Sequence, residues 1–393
     1  MADLFDKCYN FTRARELQEA GWYPYFKAIK SGADTEVCID GRKLIMIGSN
    51  NYLGLTQDER IKKAAMEAVE EFGSGCTGSR YLNGTLALHE ELEEKLAEFM
   101  NKEAALVFST GFQTNLGTIS TVVGKDDLVF ADRTNHASIV DGCRLSFGRV
   151  LRFKHNDMRD LERLLVASKQ HGKLIVVDGV FSMEGDLTML PEIVQLGKKY
   201  GARIMVDDAH SIGVFGKNGR GTAEHFELED DVDIIMGTFS KSFASLGGFI
   251  AANARVIDYV KHHSRALIFS ASMPPAAVAS VIAALDIIKN EPVRREWLWN
   301  NVRKMKSAFD EMGFDTGGSQ SPIIPIFIGD MMDTFVFWRR LFDNGVFANP
   351  AIPPAVAPGR CLIRTSYMAT HTEEELNKVL DVFEKLGREF GLI

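Results

Sequence analysis

Seven short apolar runs lie in the middle of the chain, and segments with helical spacing of apolar residues separate them. The runs cover 104–108, 128–132, 150–153, 174–179, 203–208, 233–237 and 248–252. A nearly continuous apolar run is typical of a strand that is buried on both faces. The intervening segments, among them 157–170 and 190–201, have helical periodicity. Strands that alternate with helices predict an α/β fold with a mostly parallel sheet.

The flanking regions follow a different pattern. Ile61, Ala64 and Ala68 form one apolar face of a predicted helix, and Thr372 with Glu375 has the spacing of a capping box before a C-terminal amphipathic stripe. We therefore predict an N-terminal arm over 1–45, a large domain over 46–290 and a smaller α+β domain over 291–393.

Composition narrows the functional classes. The 393 residues are 46% hydrophobic and 25% charged, with a net charge of -8. An acidic balance disfavours general nucleic-acid binding. Five scattered cysteines without a CxxC pair indicate reduced thiols, and the charged N-terminus lacks the apolar core of a signal peptide. We expect a cytoplasmic protein without a membrane span, and these counts are compatible with peripheral contact with a membrane.

A glycine- and serine-rich loop follows the run at 233–237. Its sequence, GTFSKSFASLGG, places Lys241 among small residues, with the hydroxyls of Thr238 and Ser240 nearby. A lysine in a polar loop is more often simply solvated. At a strand end, however, it is a candidate for the amine that holds a carbonyl cofactor as a Schiff base, with hydroxyl donors for a phosphate.

Other strand ends offer complementary groups. Asp207 and His210 follow the run at 203–208, where a carboxylate suits a protonated pyridine nitrogen and an imidazole suits a phenolic oxygen. Asp208 is an equally placed carboxylate by this argument alone. An incidental capping aspartate is the plain alternative.

Three further strand ends complete the set. Gly111 and Phe112, in the STGF turn that opens a helix, suit a phosphate at a helix N-terminus. His136, after the run at 128–132, is placed to stack on a planar ring, and Ser182, after the run at 174–179, is a donor for the same phenolic oxygen as His210. Each feature is common alone, but together they predict one pyridoxal-phosphate (PLP) site, because parallel strands carry ligands at their carboxyl ends.

Two other motifs are rejected as sites. Gly73, Gly75 and Gly78 have GxGxxG spacing, but a helical pattern precedes them where a dinucleotide site needs a strand. His262 and His263 are adjacent rather than one helical turn apart, which is poor geometry for a metal. No metal site is predicted.

The chain resembles the α-oxoamine synthases, which are PLP enzymes of fold type I that condense an amino acid with an acyl thioester and lose CO2. The motifs run in family order: GSNNYLGL, GSGCTGSRYLNGT, STGF, NHASIVDG, FSMEGD, DDAHSIG and GTFSKS. The resemblance implies a large domain with a mostly parallel seven-stranded sheet and a smaller α+β C-terminal domain. It also selects Asp207 over Asp208, since the family pattern is DxAH.

The resemblance further implies a homodimer with a shared active site. Arg80 in GSR and the segment Phe269–Ser272, with Ser270 and Ala271, match pieces that family members contribute at that interface. Arg364 in LIRTS matches the arginine directed toward the substrate carboxylate, and Asn50 matches an active-site asparagine.

Within the family, phrases such as FKHNDMRDLE and IFSASMPPA resemble a bacterial branch that uses L-serine. That branch implies condensation with palmitoyl-CoA or acyl-ACP to 3-ketosphinganine, the first step of sphingolipid synthesis. Cysteate acyltransferases of sulfonolipid synthesis, or glycine- or alanine-using relatives, are the alternatives. A non-catalytic regulatory subunit is disfavoured because such relatives lack the lysine at position 241.

Overall fold

The structure is a computed structural model that describes residues 3–168 and 172–393. Residues 1 and 2 of the predicted arm, and residues 169 and 170 of the predicted helix 157–170, lie outside the described residues. The strands run in chain order as β1 Glu36–Ile39, β2 Arg42–Met46, β3 Ala104–Phe108, β4 Leu128–Asp132, β5 Arg149–Phe153, β6 Lys173–Asp178, β7 Arg203–Asp207, β8 Ile234–Thr238, β9 Gly248–Ala252, β10 Ile323–Gly329, β11 Val346–Phe347, β12 Asn349–Ala351 and β13 Cys361–Ser366.

The seven apolar runs of the sequence form one seven-stranded sheet in the order β3-β9-β8-β7-β6-β4-β5. All neighbours pair in parallel except β9, which is antiparallel to β3 and β8. The predicted sheet is confirmed, with strand limits that differ by about one residue. Every residue of β4, β8 and β9 is buried, which explains their unbroken apolar character.

Helices connect and cover the strands. They are α1 Asp6–Tyr9, α2 Arg13–Glu19, α3 Glu59–Phe72, α4 Ala87–Phe99, α5 Gly111–Val122, α6 Ala137–Leu145, α7 Met158–Val166, α8 Leu190–Tyr200, α9 Thr222–His225, α10 Ala254–His263, α11 Arg265–Ile268, α12 Pro275–Asn290, α13 Val293–Met312, α14 Met331–Asp343 and α15 Glu373–Glu389, with a 3-10 turn at Glu229–Asp231. The capping box of Thr372 and Glu375 opens α15 as predicted. In the part of the chain described, no helix is both long and apolar enough to cross a membrane.

Two small sheets lie outside the large one. The first has the order β1-β2-β11, and the second has the order β10-β13-β12. Because β2 pairs in parallel with β11, a strand that begins within the predicted N-terminal arm joins the C-terminal region. The predicted boundary at residue 45 therefore falls inside β2, whereas the boundary at 290 coincides with the end of α12. The three-part division stays a prediction.

Close packing around the large sheet holds the carboxyl ends of its strands in place. Apolar side chains on both faces are fully buried, and Phe239 stacks on Phe249 with ring centroids 5.5 Å apart just beyond β8. Phe239 anchors the start of the loop that carries Lys241. The loop that carries Lys241 thus leaves a rigid strand, and this favours precise placement of the lysine side chain.

Candidate active site

A cavity of about 220 Å³ opens at the carboxyl ends of the large sheet. Among its lining residues are eight that the sequence predicted: Gly111, Phe112, His136, Asp207, His210, Thr238, Ser240 and Lys241. These residues lie at the carboxyl ends of β7 and β8 or in the segments that directly follow β3, β4, β7 and β8. The wound sheet therefore gathers groups that are up to 130 residues apart in sequence.

Lys241 lies three residues beyond the end of β8. Burial lowers the pKa of its amine to about 8, an effect that Asp207 and Asp178 oppose and Arg364 reinforces. An amine with that pKa is partly neutral near physiological pH, and only the neutral amine is a nucleophile or a base.

Asp207 and Asp208 have different environments. Asp207 is the last residue of β7, lines the cavity, and accepts hydrogen bonds from Asn115 Nδ2 at 2.6 Å and the Ala209 N–H at 3.0 Å. Asp208 accepts from the backbone N–H and hydroxyl of Thr222, and burial raises its pKa to about 6. Successive residues at a strand end point to opposite sides, so only Asp207 reaches the cavity.

His210 is held in a neutral state. Burial lowers its pKa well below the usual value, and the charges of Lys241 and Arg364 act in the same direction. Its Nδ1 lies 2.6 Å from the hydroxyl of Tyr52, a fully buried residue whose pKa is raised to about 12 by burial. The Tyr52 hydroxyl, which also lies 3.4 Å from Asn50 Oδ1, therefore holds Nδ1 of the neutral ring by a hydrogen bond.

His136 is the N-cap residue of α6 and lines the cavity together with Asp207 and Lys241. Its backbone N–H donates to Asp178 at 2.8 Å, and its Nδ1 lies 2.7 Å from the Ser138 hydroxyl. Burial lowers the pKa of the ring, opposed by Asp207 and assisted by Lys241. Asp178, at the end of β6, has a pKa raised well above its usual value by burial and by Asp207. A neutral imidazole whose Nδ1 is held by Ser138 is suited to stack on a flat ring.

The opening of α5 forms a cradle for an anion. Thr110 caps the helix by accepting from the Gln113 N–H, and a Cβ at Gly111 would lie 2.6 Å from Thr238 Oγ1. That close approach explains the glycine. The hydroxyls of Thr238 and Ser240 lie 3.0 Å apart beside this helix end. Backbone N–H groups, a helix dipole and two hydroxyls are the donors that a phosphate group needs.

A second cavity, of about 550 Å³, adjoins the first and shares His136, His210 and Lys241 with it. Arg364 from β13 lines it and is 5% exposed. Its guanidinium donates through Nε to the Ser182 carbonyl at 2.6 Å and through an Nη to Asn50 Oδ1 at 2.9 Å. The Arg364 guanidinium is thus held by two segments that are distant from it in the sequence.

Three predicted site residues lie outside the lining of both cavities: Arg80, Ser270 and Ala271. The guanidinium of Arg80 forms a bidentate ion pair with Glu93 at 2.7 and 2.9 Å. Ser270 accepts from Gln113 Nε2 at 3.0 Å, and Ala271 forms a β-bridge with Ser79. The predicted GSR and Phe269–Ser272 segments are therefore neighbours, and their site roles stay predictions.

Comparison with known proteins identifies the family. The model of the aminotransferase class I and II family matches residues 42–383. A serine palmitoyltransferase of Bacteriovorax stolpii is 53% identical over 97% of this chain and 91% of its own length. An 8-amino-7-oxononanoate synthase of Thermoanaerobacter pseudethanolicus is 44% identical over the full length of both chains. The chain belongs to the α-oxoamine synthases.

Solved structures agree with this membership of the α-oxoamine synthases. A high-resolution structure of SPT (serine palmitoyltransferase) with its PLP internal aldimine has a TM-score of 0.96 and 39% identity, with full coverage of both chains. The fold-type-I architecture predicted from the sequence is confirmed.

PLP is the cofactor of this α-oxoamine synthase. The residues present fit it: an anion cradle at α5, a buried carboxylate at Asp207, an imidazole at His136 and an amine at Lys241 all border one cavity. Asn115 supports this fit, since its amide orients Asp207 while its own carbonyl oxygen is buried without a hydrogen-bond partner among the described residues.

Three residues of this α-oxoamine synthase site were not predicted from the sequence. Tyr52 holds the His210 ring by a hydrogen bond to Nδ1, Asn115 orients Asp207, and Asp178 accepts from the His136 backbone. Asn115 lies four residues after Gly111 on α5, so helical spacing was a usable signal. Tyr52 lies two residues after Asn50, but only the tertiary fold brings it to His210.

Proposed function

We propose that this chain catalyses the decarboxylating condensation of L-serine with a long-chain acyl thioester, palmitoyl-CoA or acyl-ACP, to give 3-ketosphinganine. The choice of serine is supported by the relatives named serine palmitoyltransferase, which are 50–53% identical over nearly the whole chain. The reaction class is supported by the geometry of the two cavities.

One observation carries the proposal: Lys241 and Arg364 border the same cavity, together with His136 and His210. An amino acid whose carboxylate contacts Arg364 has its amino group and Cα directed toward Lys241. The bidentate geometry of a guanidinium suits a carboxylate, and its burial strengthens the contact. Asn50 and the Ser182 carbonyl hold the guanidinium in position before the substrate arrives.

Each residue then has one task. With PLP bound, Asp207 would keep a proton on the pyridine nitrogen, His210 would donate a ring N–H to the phenolic oxygen, and His136 would pack on the ring face. Bound PLP supplies the electron sink for the pair released at Cα. Lys241, once its amine is free, removes the Cα proton as a general base, which its lowered pKa permits near neutral pH.

We also propose that the enzyme works in the cytoplasm as a homodimer. Phe112, Leu82 and Phe269 are large apolar residues that the single chain leaves exposed, and they lie on or beside the segments predicted to form a shared interface. Light scattering should give twice the 43.7 kDa chain mass. A monomer with full activity would contradict a shared site.

The substrate is tested by titrating the holoenzyme with L-serine, L-cysteate, glycine and L-alanine, and by mass analysis of products formed with palmitoyl-CoA. We expect L-serine to perturb the cofactor spectrum and to give 3-ketosphinganine with release of CO2. Parallel reactions with palmitoyl-ACP identify the carrier. Product from cysteate or glycine, with none from serine, would overturn the assignment of the amino acid.

A further inference from the structure

Next to the candidate active site, the ring of His155 lies between two carboxylates. Its Nδ1 is 3.1 Å from Asp132 Oδ1 and 2.7 Å from the Thr134 hydroxyl, and its Nε2 is 2.8 Å from Asp186 Oδ2. The Thr134 hydroxyl gives its own proton to Asp132 at 2.8 Å, and an ionised carboxylate only accepts hydrogen bonds, so both ring nitrogens donate and the ring is an imidazolium. Phe181 packs edge-on against it, with ring centroids 4.4 Å apart.

The surroundings keep that charge at physiological pH. Partial burial opposes protonation, but the hydrogen bonds to Asp132 and Asp186 outweigh it and raise the pKa of His155 to about 10. One positive ring thus compensates two carboxylates that meet at the same place, and the Asn156 side chain adds a donor to Asp186 at 3.1 Å.

On one side, His155 contacts Asp132, which begins the turn between β4 and His136. Asp132 is the last residue of β4 and is 1% exposed. Its Oδ1 accepts from the backbone N–H of Thr134 at 2.9 Å, and its Oδ2 accepts from the Asn156 N–H at 2.9 Å. The carboxylate therefore ties the end of β4 to the residues that follow β5.

The other side is a short hairpin at 180–187. Val180 and Leu187 form a β-bridge, and the N–H of Phe181 donates to the Asp186 carbonyl at 3.0 Å. The hairpin contains Ser182, whose carbonyl accepts from Arg364 Nε. A shift of the hairpin relative to β4 would therefore move an acceptor that locates the guanidinium.

We propose that His155 is a positioning residue for Arg364: its charged ring clamps the 180–187 hairpin to the end of β4 and so fixes the Ser182 carbonyl. The inference rests on the proposed function, because it takes Arg364 as the group that binds the amino-acid carboxylate. A neutral side chain at 155 leaves two carboxylates without a cation between them, and their repulsion loosens the hairpin.

The test uses His155→Gln in the holoenzyme. Amide hydrogen exchange in 180–187 should become faster, and the L-serine dissociation constant from spectral titration should rise about tenfold, as expected when a charge-assisted contact is misplaced. The kcat at saturating L-serine should change much less. His225→Gln, at an exposed histidine whose ring contacts Phe215 and Phe226 and which lines neither cavity of the candidate site, is the control.

A double variant distinguishes the proposed electrostatic role of His155 from a general role in packing. Adding Asp186→Asn to His155→Gln removes the uncompensated carboxylate and should recover part of the L-serine affinity. Unchanged exchange in 180–187 with unchanged affinity would overturn the proposal, even if the melting temperature falls. If Arg364→Lys itself leaves L-serine affinity unchanged, the proposed carboxylate contact fails, whereas faster exchange in His155→Gln still supports the clamp.

Discussion

Two groups of residues make up the candidate site, and they are built differently. The strand-end group consists of Lys241, Asp207, His136 and His210, which lie at or just beyond the carboxyl ends of strands of the large, mostly parallel sheet. The arginine group, Arg364 with Asn50 and Ser182, joins a strand of a small sheet to two segments far from it, since Arg364 and Asn50 are 314 residues apart. The first group faces the cofactor chemistry, and the second faces the substrate. Damage to the first should therefore lower kcat, and damage to the second should raise KM.

The largest effect is expected at Lys241. Lys241→Ala removes the amine that holds PLP and the base that removes the Cα proton, so turnover should fall by about 10⁴-fold or more and the Schiff-base absorbance should vanish. Steady-state assays and absorbance spectra check this. Lys261→Ala, at an exposed lysine of α10, is the control and should behave as wild type. Full turnover in Lys241→Ala would contradict both roles assigned to Lys241.

The most direct test of the strand-end group compares Asp207 with its neighbour Asp208. Asp207→Asn should retain PLP but lower kcat by roughly 10²- to 10³-fold, because the pyridine nitrogen loses its anionic partner. Asp208→Asn still accepts from Thr222 and does not line the cavity, so we expect near-normal kcat with some loss of thermal stability. Equal losses of kcat in both variants would show that position along the strand does not decide the role.

The arginine group should respond in KM. Arg364→Lys keeps the charge but cannot donate to Asn50 and the Ser182 carbonyl with the same planar geometry, so we expect KM for L-serine to rise by about 30-fold and kcat to change less. Arg388→Lys, at an exposed arginine of α15 that pairs with Glu384 and lines neither cavity, is the control. A loss confined to kcat would contradict the division between the two groups.

The same contrast explains what the sequence could predict. Apolar runs show where strands end, and parallel strands bring their carboxyl ends together, so Lys241, His136, His210 and a carboxylate at 207 or 208 were predictable from pattern and residue type. The choice of Asp207 over Asp208 needed the family resemblance. Arg364 and Asn50 meet through tertiary packing that no local pattern encodes, and only the family resemblance indicated them. Tyr52 and His155 act through hydrogen bonds across loops, which neither spacing nor hydropathy reveals.

The smallest effect tests the electrostatics of the strand-end group through PLP capture by the apoenzyme. Only the neutral amine of Lys241 attacks the aldehyde, so the capture rate should rise with pH and level off above a midpoint near 8. At pH 7 about one amine in ten would be neutral, against fewer than about one in a thousand at an ordinary lysine. Stopped-flow absorbance from pH 6 to 10 gives the midpoint.

One variant from each group tests whether the midpoint depends on the strand-end group and not on the arginine group. The charge of Asp207 raises the pKa of Lys241, so Asp207→Asn should move the midpoint to lower pH. Arg364→Lys keeps its positive charge and should leave the midpoint nearly unchanged, although it weakens L-serine binding. A midpoint near 10.5 in the wild-type apoenzyme would mean that burial does not tune this amine, and the strand-end group would then need another means of activating Lys241.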